Sequence, residues 1–183
     1  MNVYEVVEPS GRAYWACRAS NAELARLVEA DQKPRQDPSR ISDPASLERQ
    51  DEDRRNRTRK LLQAGQLHTG EDFNRAALIF QHGSTPDDFL MAHTLALIVA
   101  AKGDDSARWI GAASLDRYLR SIGKPQIYGT QFNLDPKNSQ EPFNRDLISD
   151  QVRQQLGVPP LAGQRERFEQ LREQGKVSAA YPR

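Results

Sequence analysis

The chain has one cysteine, Cys17, and three histidines, His68, His82 and His93. An internal disulfide is excluded, and the four side chains match none of the usual zinc spacings, so no metal is expected. A reducing compartment, the cytoplasm, is the expected location. An excess of either charge is also missing: 26 basic residues against 25 acidic ones leave a formal charge of +1 over 183 residues. No broad field draws such a chain to nucleic acid or to an anionic membrane, and neither is expected as a partner. The longest apolar run, FLMAHTLALIVAA at 89–101, is interrupted by His93 and Thr94 and is too short to cross a bilayer. The first 20 residues carry no basic leader followed by an apolar stretch. Signatures of chemistry are scarce as well. There is no glycine-rich phosphate cradle, no dinucleotide fingerprint and no nucleophile elbow, and Cys17 lies in an expected strand without a basic pattern around it. Paired carboxylates of the glycosidase type cannot be picked out by spacing. Hydrolysis through a covalent intermediate has no support here, and no cofactor is indicated.

What is present is mostly helix-forming sequence, in a length that suits one domain. VYEVV and AYWAC flank the turn-rich EPSGR and predict a β-hairpin over residues 1–19. Ser20 and Glu23 have capping-box spacing ahead of an apolar stripe at Ala22, Leu24, Ala25, Leu27 and Val28, which predicts a short helix. Prolines at 34, 38 and 44 then predict an extended connector over 31–44. ASLERQDEDRRNRTRKLLQAG is helical in composition, with Asp51–Arg55 and Asp53–Arg57 at i, i+4 and a stripe of Asp51, Arg54 and Thr58 that borders something polar. Thr69 and Asp72 form a second capping box, opening a central helix that ends at Gln81–His82, with Gly83 as its C-terminal cap. Thr85 caps the next helix, which runs to about Lys102, with His93 on a core stripe beside Phe89, Leu97 and Ala100. A third long helix spans the DDSARWIGAASLDRYLRSIG segment, packing through Trp109, Ala112, Ala113, Leu115, Leu119 and Ile122. Two further helical pieces follow, RDLISDQVRQQLG and AGQRERFEQLREQG. The expected architecture is mainly α, an irregular bundle of about six helices over 20–175 centred on 73–122, with an N-terminal β-hairpin and a tail at 176–183.

Three places could carry function. His82, at the end of a buried helix, is either a general acid or base or a cap that bonds the last carbonyls. Asp116 falls on an apolar helix edge beside Leu119 and Gly123, where a carboxylate needs a partner; it either joins an ion pair or orients a histidine. The third is GKPQIYGTQF at 123–132. If extended, it projects Gln126, Tyr128 and Thr130 to one side, while Gly129 permits close approach. These groups either line a pocket or staple the loop to helix ends.

The succession DQxxR at 31–35, DxxN at 53–56 ahead of LLQAG, QHG at 81–83, LDR at 115–117 and GKPQIYGTQF resembles an uncharacterised bacterial family, domain-of-unknown-function family 6624, over about residues 25–172. DQVRQQLGVPPL is similar to that family's closing segment. The resemblance implies motif positions at Asp31, Gln32, Arg35, Gln81, His82, Asp116, Arg117, Gln126, Tyr128, Gly129, Thr130 and Gln131, and no activity. The chain departs from the family at QHG, where QHA followed by an acid is common. Together these residues imply a polar pocket in which His82 transfers protons and Asp116 orients it or balances its charge. Arg35 or Arg117 holds an anionic group, and Asp31, Gln32, Gln81, Gln126, Tyr128, Gly129, Thr130 and Gln131 position a polar small molecule. The competing expectation is a non-catalytic immunity or accessory factor that binds a protein partner, with Tyr4, Tyr14 and Trp15 of the hairpin as contact residues.

Overall fold

The computed structural model describes residues 2–7, 13–37, 41, 43–132 and 140–173, with backbone alone for 2–18 and 171–173. The fold is mainly helical. Strands β1 (Asn2–Val7) and β2 (Ala13–Arg18) run antiparallel, Asn2 opposite Arg18 and Val7 opposite Ala13. The side chains of Tyr4, Tyr14 and Trp15, and the tail at 176–183, lie outside the described residues.

Seven helices follow among the described residues: α1 (Ala22–Gln36), α2 (Pro44–Gln63), α3 (Gly70–Gln81), α4 (Pro86–Ala101), α5 (Arg108–Ser121), α6 (Asp150–Gln155) and α7 (Leu161–Glu173). The centre is α3, which packs against α1, α2 and α4, while α4 packs in turn on α5. Ala76, Ala77, Ile79 and Phe80 of α3 meet Leu24, Leu61, Ala92, Leu95 and Ile110 in one buried cluster. The small residues of α3 and α4 allow close helix approach, and Phe80 and the leucines fill the remaining volume.

Several expectations change in detail. The first helix is capped by Asn21, whose side chain accepts from Leu24 N at 2.9 Å, rather than by Ser20. It continues through Pro34 to Gln36 instead of giving way to an extended connector at Asp31. Proline removes one helical donor. The last turn is held instead by Arg35, which donates to the Asp31 carbonyl at 2.6 Å and pairs with the Asp31 carboxylate at 3.1 Å. On α2 the expected i, i+4 pairs give way to others: Asp51 takes Arg54 of the same helix and Arg35 of α1, Arg55 turns to Asp88 of α4, and Arg57 to Glu23 of α1. On α4 the buried stripe is Asp88, Ala92, Leu95, Ala96 and Val99. His93 therefore lies at the edge of the α4–α5 contact, its Nδ1 donating to Gly111 O at 2.9 Å, and Leu97 is exposed. Because nearly every side of α4 is apolar, periodicity could not select the buried face. On α5, Trp109 and Ile122 are exposed, and the packing surface is Ile110 to Ser114.

The Thr69–Asp72 capping box forms as expected and extends further. Buried Asp72 also accepts from Asn21 N at 2.6 Å and His68 N at 3.0 Å, so one carboxylate joins the starts of α1 and α3. Burial alone would raise its pKa, but the backbone N–H groups of His68, Thr69 and Asn21 outweigh it and hold the group below its ordinary value of 3.8. Lowering the folded pKa gives stability that is present above about pH 3.8 and is lost as the pH falls toward the folded value. Urea midpoints should therefore fall more steeply below pH ~4 in the wild type than in Asp72→Asn, which starts lower and lacks this titration.

Candidate functional site

The polar stripe foreseen on α2 meets the last turn of α1 and the end of α3. Asp31, 1% exposed, is the hub. Its Oδ2 accepts from His82 Nδ1 at 2.8 Å and from Gln32 Nε2 at 2.8 Å. Its Oδ1 faces Arg35 at 3.1 Å and Arg54 Nε at 3.8 Å. Asp51 completes the cluster, bonded to Arg35 Nη2 at 2.7 Å and to Arg54 Nη2. Two carboxylates thus balance two guanidiniums around the ring, and a neutral imidazole leaves the cluster neutral. Because the carboxylate accepts at Nδ1, the neutral ring carries its proton there, and Nε2 is left as the basic nitrogen. The ring is 12% exposed. His82 is also the C-cap residue of α3, and its carbonyl accepts from Arg55 Nη1 at 3.2 Å. Gly83 does not take the left-handed conformation expected of a capping glycine. It is required because a Cβ there would lie 2.2 Å from Asp88 Cβ.

The GKPQIYGTQF segment forms a second cluster, and it is stapled rather than open. Asp116, fully buried, accepts from Ile127 N at 2.8 Å, Tyr128 N at 3.0 Å, Thr130 N at 2.9 Å and Thr130 Oγ1 at 2.8 Å. The carboxylate that faces His82 is therefore Asp31, and Asp116 instead gathers the donors of the loop. The segment is a turn, not the expected extended run: Gly129 has φ +82°, and a Cβ there would meet Gln164 Oε1 at 2.2 Å and Phe143 at 2.6 Å. The close approach foreseen at Gly129 is thus made by the chain's own residues. Gln126 is fully buried; its Nε2 donates to Gln131 O at 2.9 Å and to Gln140 O, and its Oε1 accepts from Gln131 N at 3.0 Å. Gln140 and Gln164 hold the carbonyls of Gly129 and Tyr128 at 2.7 and 2.9 Å. Arg153, also buried, adds a donor to Tyr128 O at 3.3 Å and stacks on Phe143. These last three anchors were not singled out from the sequence. Each is a long polar side chain at an ordinary helix or loop position, with no local pattern to mark its burial.

Arg117 joins the two clusters. It donates to Gln81 O, one residue before His82, and its Nε to Gln131 Oε1 at 3.2 Å. Gln81 Oε1 is buried without a hydrogen-bond partner among the described residues. Tyr128 is half-buried, and burial together with the Asp116 charge pushes its phenol pKa up. The phenol is consequently protonated at neutral pH and is a hydrogen-bond donor rather than a base.

A cavity of about 360 Å³ opens elsewhere, between α2 and the first turn of α4. Glu48, Glu52, Arg55, Arg59, Thr85 and Asp88 are among its walls, and neither His82 nor Tyr128 is. The hollow expected between that ring and that phenol is thus not this one. Among the described residues no group of three or more histidine, cysteine or acidic side chains could hold a metal, and no helix is long and apolar enough to cross a membrane. No family model, curated protein or solved structure matches the chain.

Proposed function

We propose that the chain is a small cytoplasmic enzyme or binder of polar metabolites in which His82, oriented by Asp31, exchanges protons with the ligand. The observation that carries this reading is the 2.8 Å contact between His82 Nδ1 and the buried Asp31 carboxylate. A carboxylate at one ring nitrogen fixes the tautomer, stabilises the imidazolium once it forms and leaves the other nitrogen to act. The surroundings argue in the same direction. A buried group of two acids and two arginines is seldom more stable than an apolar replacement of the same volume, so its presence around the ring favours use over stability. Of the two arginines expected to hold an anionic group, Arg35 keeps 23% of its side chain exposed, whereas Arg117 is 8% exposed and bonded to Gln81 and Gln131. Arg35 therefore takes that role here. Membership of family 6624 belongs to the same proposal, since its motif positions Asp31, Gln32, Arg35 and His82 meet in one cluster.

His82→Gln keeps a donor toward Asp31 and removes the basic nitrogen. It should change the melting temperature by no more than about 2 °C, because little buried volume or charge pairing is lost. In a thermal-shift screen of polar metabolites it should lose the stabilisation that the wild type shows with its ligand. Identical responses of the two proteins across the screen would count against the proposal.

The stapled loop favours a second reading, a non-catalytic interaction protein. Asp116 and Gln126 bond the backbone of the loop, Thr130 donates its hydroxyl to Asp116 and Gln131 donates to Ala113 O, as internal supports of a rigid surface would. Under that reading His82→Gln leaves partner binding intact.

A further inference from the structure

We propose that the cleft between α2 and the first turn of α4 is a binding site for a small zwitterion, with its acidic group on Arg55 and Arg59 and its ammonium toward Glu48 and Glu52. This does not depend on the role of His82. At about 360 Å³ the cleft is large enough for a small ligand. Eight of its nine lining residues are polar or charged, and apart from Arg49 the signs are ordered along α2. Glu48, Glu52, Arg55 and Arg59 share one helix face at intervals of four, three and four residues, acids first and bases last.

At the basic end one carboxylate, Asp88, serves two guanidiniums: Arg55 Nε at 3.3 Å and Arg59 Nη2. That end carries one positive charge in excess. Arg55 is 5% exposed and fixed on both sides, by Asp88 and by the His82 carbonyl. Its guanidinium, held in one place by these two contacts, forms part of the wall of the cleft. The acidic end has Glu48 and Glu52 against Arg49, which leans 3.7 Å from Asp43. With Asp43 counted, three acids stand against one base there, an excess of two negative charges. A lone anion or a lone cation satisfies one end and is repelled by the other, whereas a dipolar ligand satisfies both. Seven residues separate the middle of the acid pair from the middle of the basic pair, about 10 Å along the helix axis at 1.5 Å per residue. The ligand's two charges should accordingly stand several ångströms apart, further than in an α-amino acid backbone.

The test is a titration of the ¹⁵N-labelled full chain with 6-aminohexanoate, acetate and butylammonium at matched ionic strength, followed at the amides of Ser84 and Thr85. The zwitterion should give saturable shifts with an affinity at least about tenfold above either single-charge probe. Ala45→Trp, which fills the cleft from an exposed wall position, should abolish those shifts. Glu52→Gln, at an exposed position, should weaken binding about tenfold if the ammonium is held there, and it serves as the test should Ala45→Trp not fold. Absence of saturation, equal affinities for zwitterion and acetate, or full binding by Glu52→Gln would overturn the proposal.

Discussion

Asp116→Ala should destabilise the fold by about 3–5 kcal/mol in urea denaturation, the largest effect expected of any residue in the GKPQIYGTQF cluster. The carboxylate is fully buried and accepts from three backbone N–H groups and one hydroxyl. Removing it strands donors in a place that water does not reach, and each stranded group costs about 1–3 kcal/mol. Asp116→Asn keeps the shape but replaces one accepting oxygen with an NH₂ that faces donors, so it should recover only part of the loss. Thr130→Ala removes one of the four donors and should cost about 1 kcal/mol. A loss below about 1 kcal/mol for Asp116→Ala would mean that the loop does not depend on this carboxylate.

The second large effect is expected at the hub of the other cluster. Asp31→Ala leaves Arg35 and Arg54, the latter 7% exposed, with Asp51 as their one remaining carboxylate in the cluster and strips His82 and Gln32 of theirs. Breaking a buried charge group by removing one member typically costs about 3–5 kcal/mol, because the opposite charge stays buried. The pair Asp31→Ala with Arg54→Met should be less destabilised than the sum of its single substitutions, since the double change removes the uncompensated charge as well. Strict additivity in that cycle would show that Asp31 and Arg54 do not interact.

Much of the helical frame was legible in the sequence. Thr69 with Asp72, and Thr85 with Pro86, are short-range signals whose physics is complete within four residues, and both helices begin where those signals place them. Boundaries shifted where a distant partner decided the outcome. Pro34 reads as a stop, yet α1 passes through it because the Asp31–Arg35–Asp51 group holds the turn. The buried character of Asp51, Arg54 and Thr58 was foreshadowed by their shared stripe on α2, whereas their partners on α1 and α3 could not be read from spacing. The contact between His82 and Asp31 was legible in part. His82 and Asp31 were both among the motif residues, but which carboxylate faces the ring depends on how α1 lies against α3. Asp116, closer in motif order to the loop, is occupied by that loop's own backbone. The cleft walled by Arg55, Arg59 and Asp88 left no trace in the sequence, because ordinary charged residues of two helices line it.

The central claim is that Asp31 holds the His82 ring with its proton on Nδ1 and leaves Nε2 to act. Its most direct test is the ¹⁵N spectrum of the imidazole nitrogens of His82 across neutral and alkaline pH, in the wild type and in Asp31→Asn. The account predicts a protonated Nδ1 and a bare Nε2 in the neutral wild-type ring, and loss of that preference in Asp31→Asn. A neutral ring protonated on Nε2, or a spectrum that Asp31→Asn leaves unchanged, would contradict it.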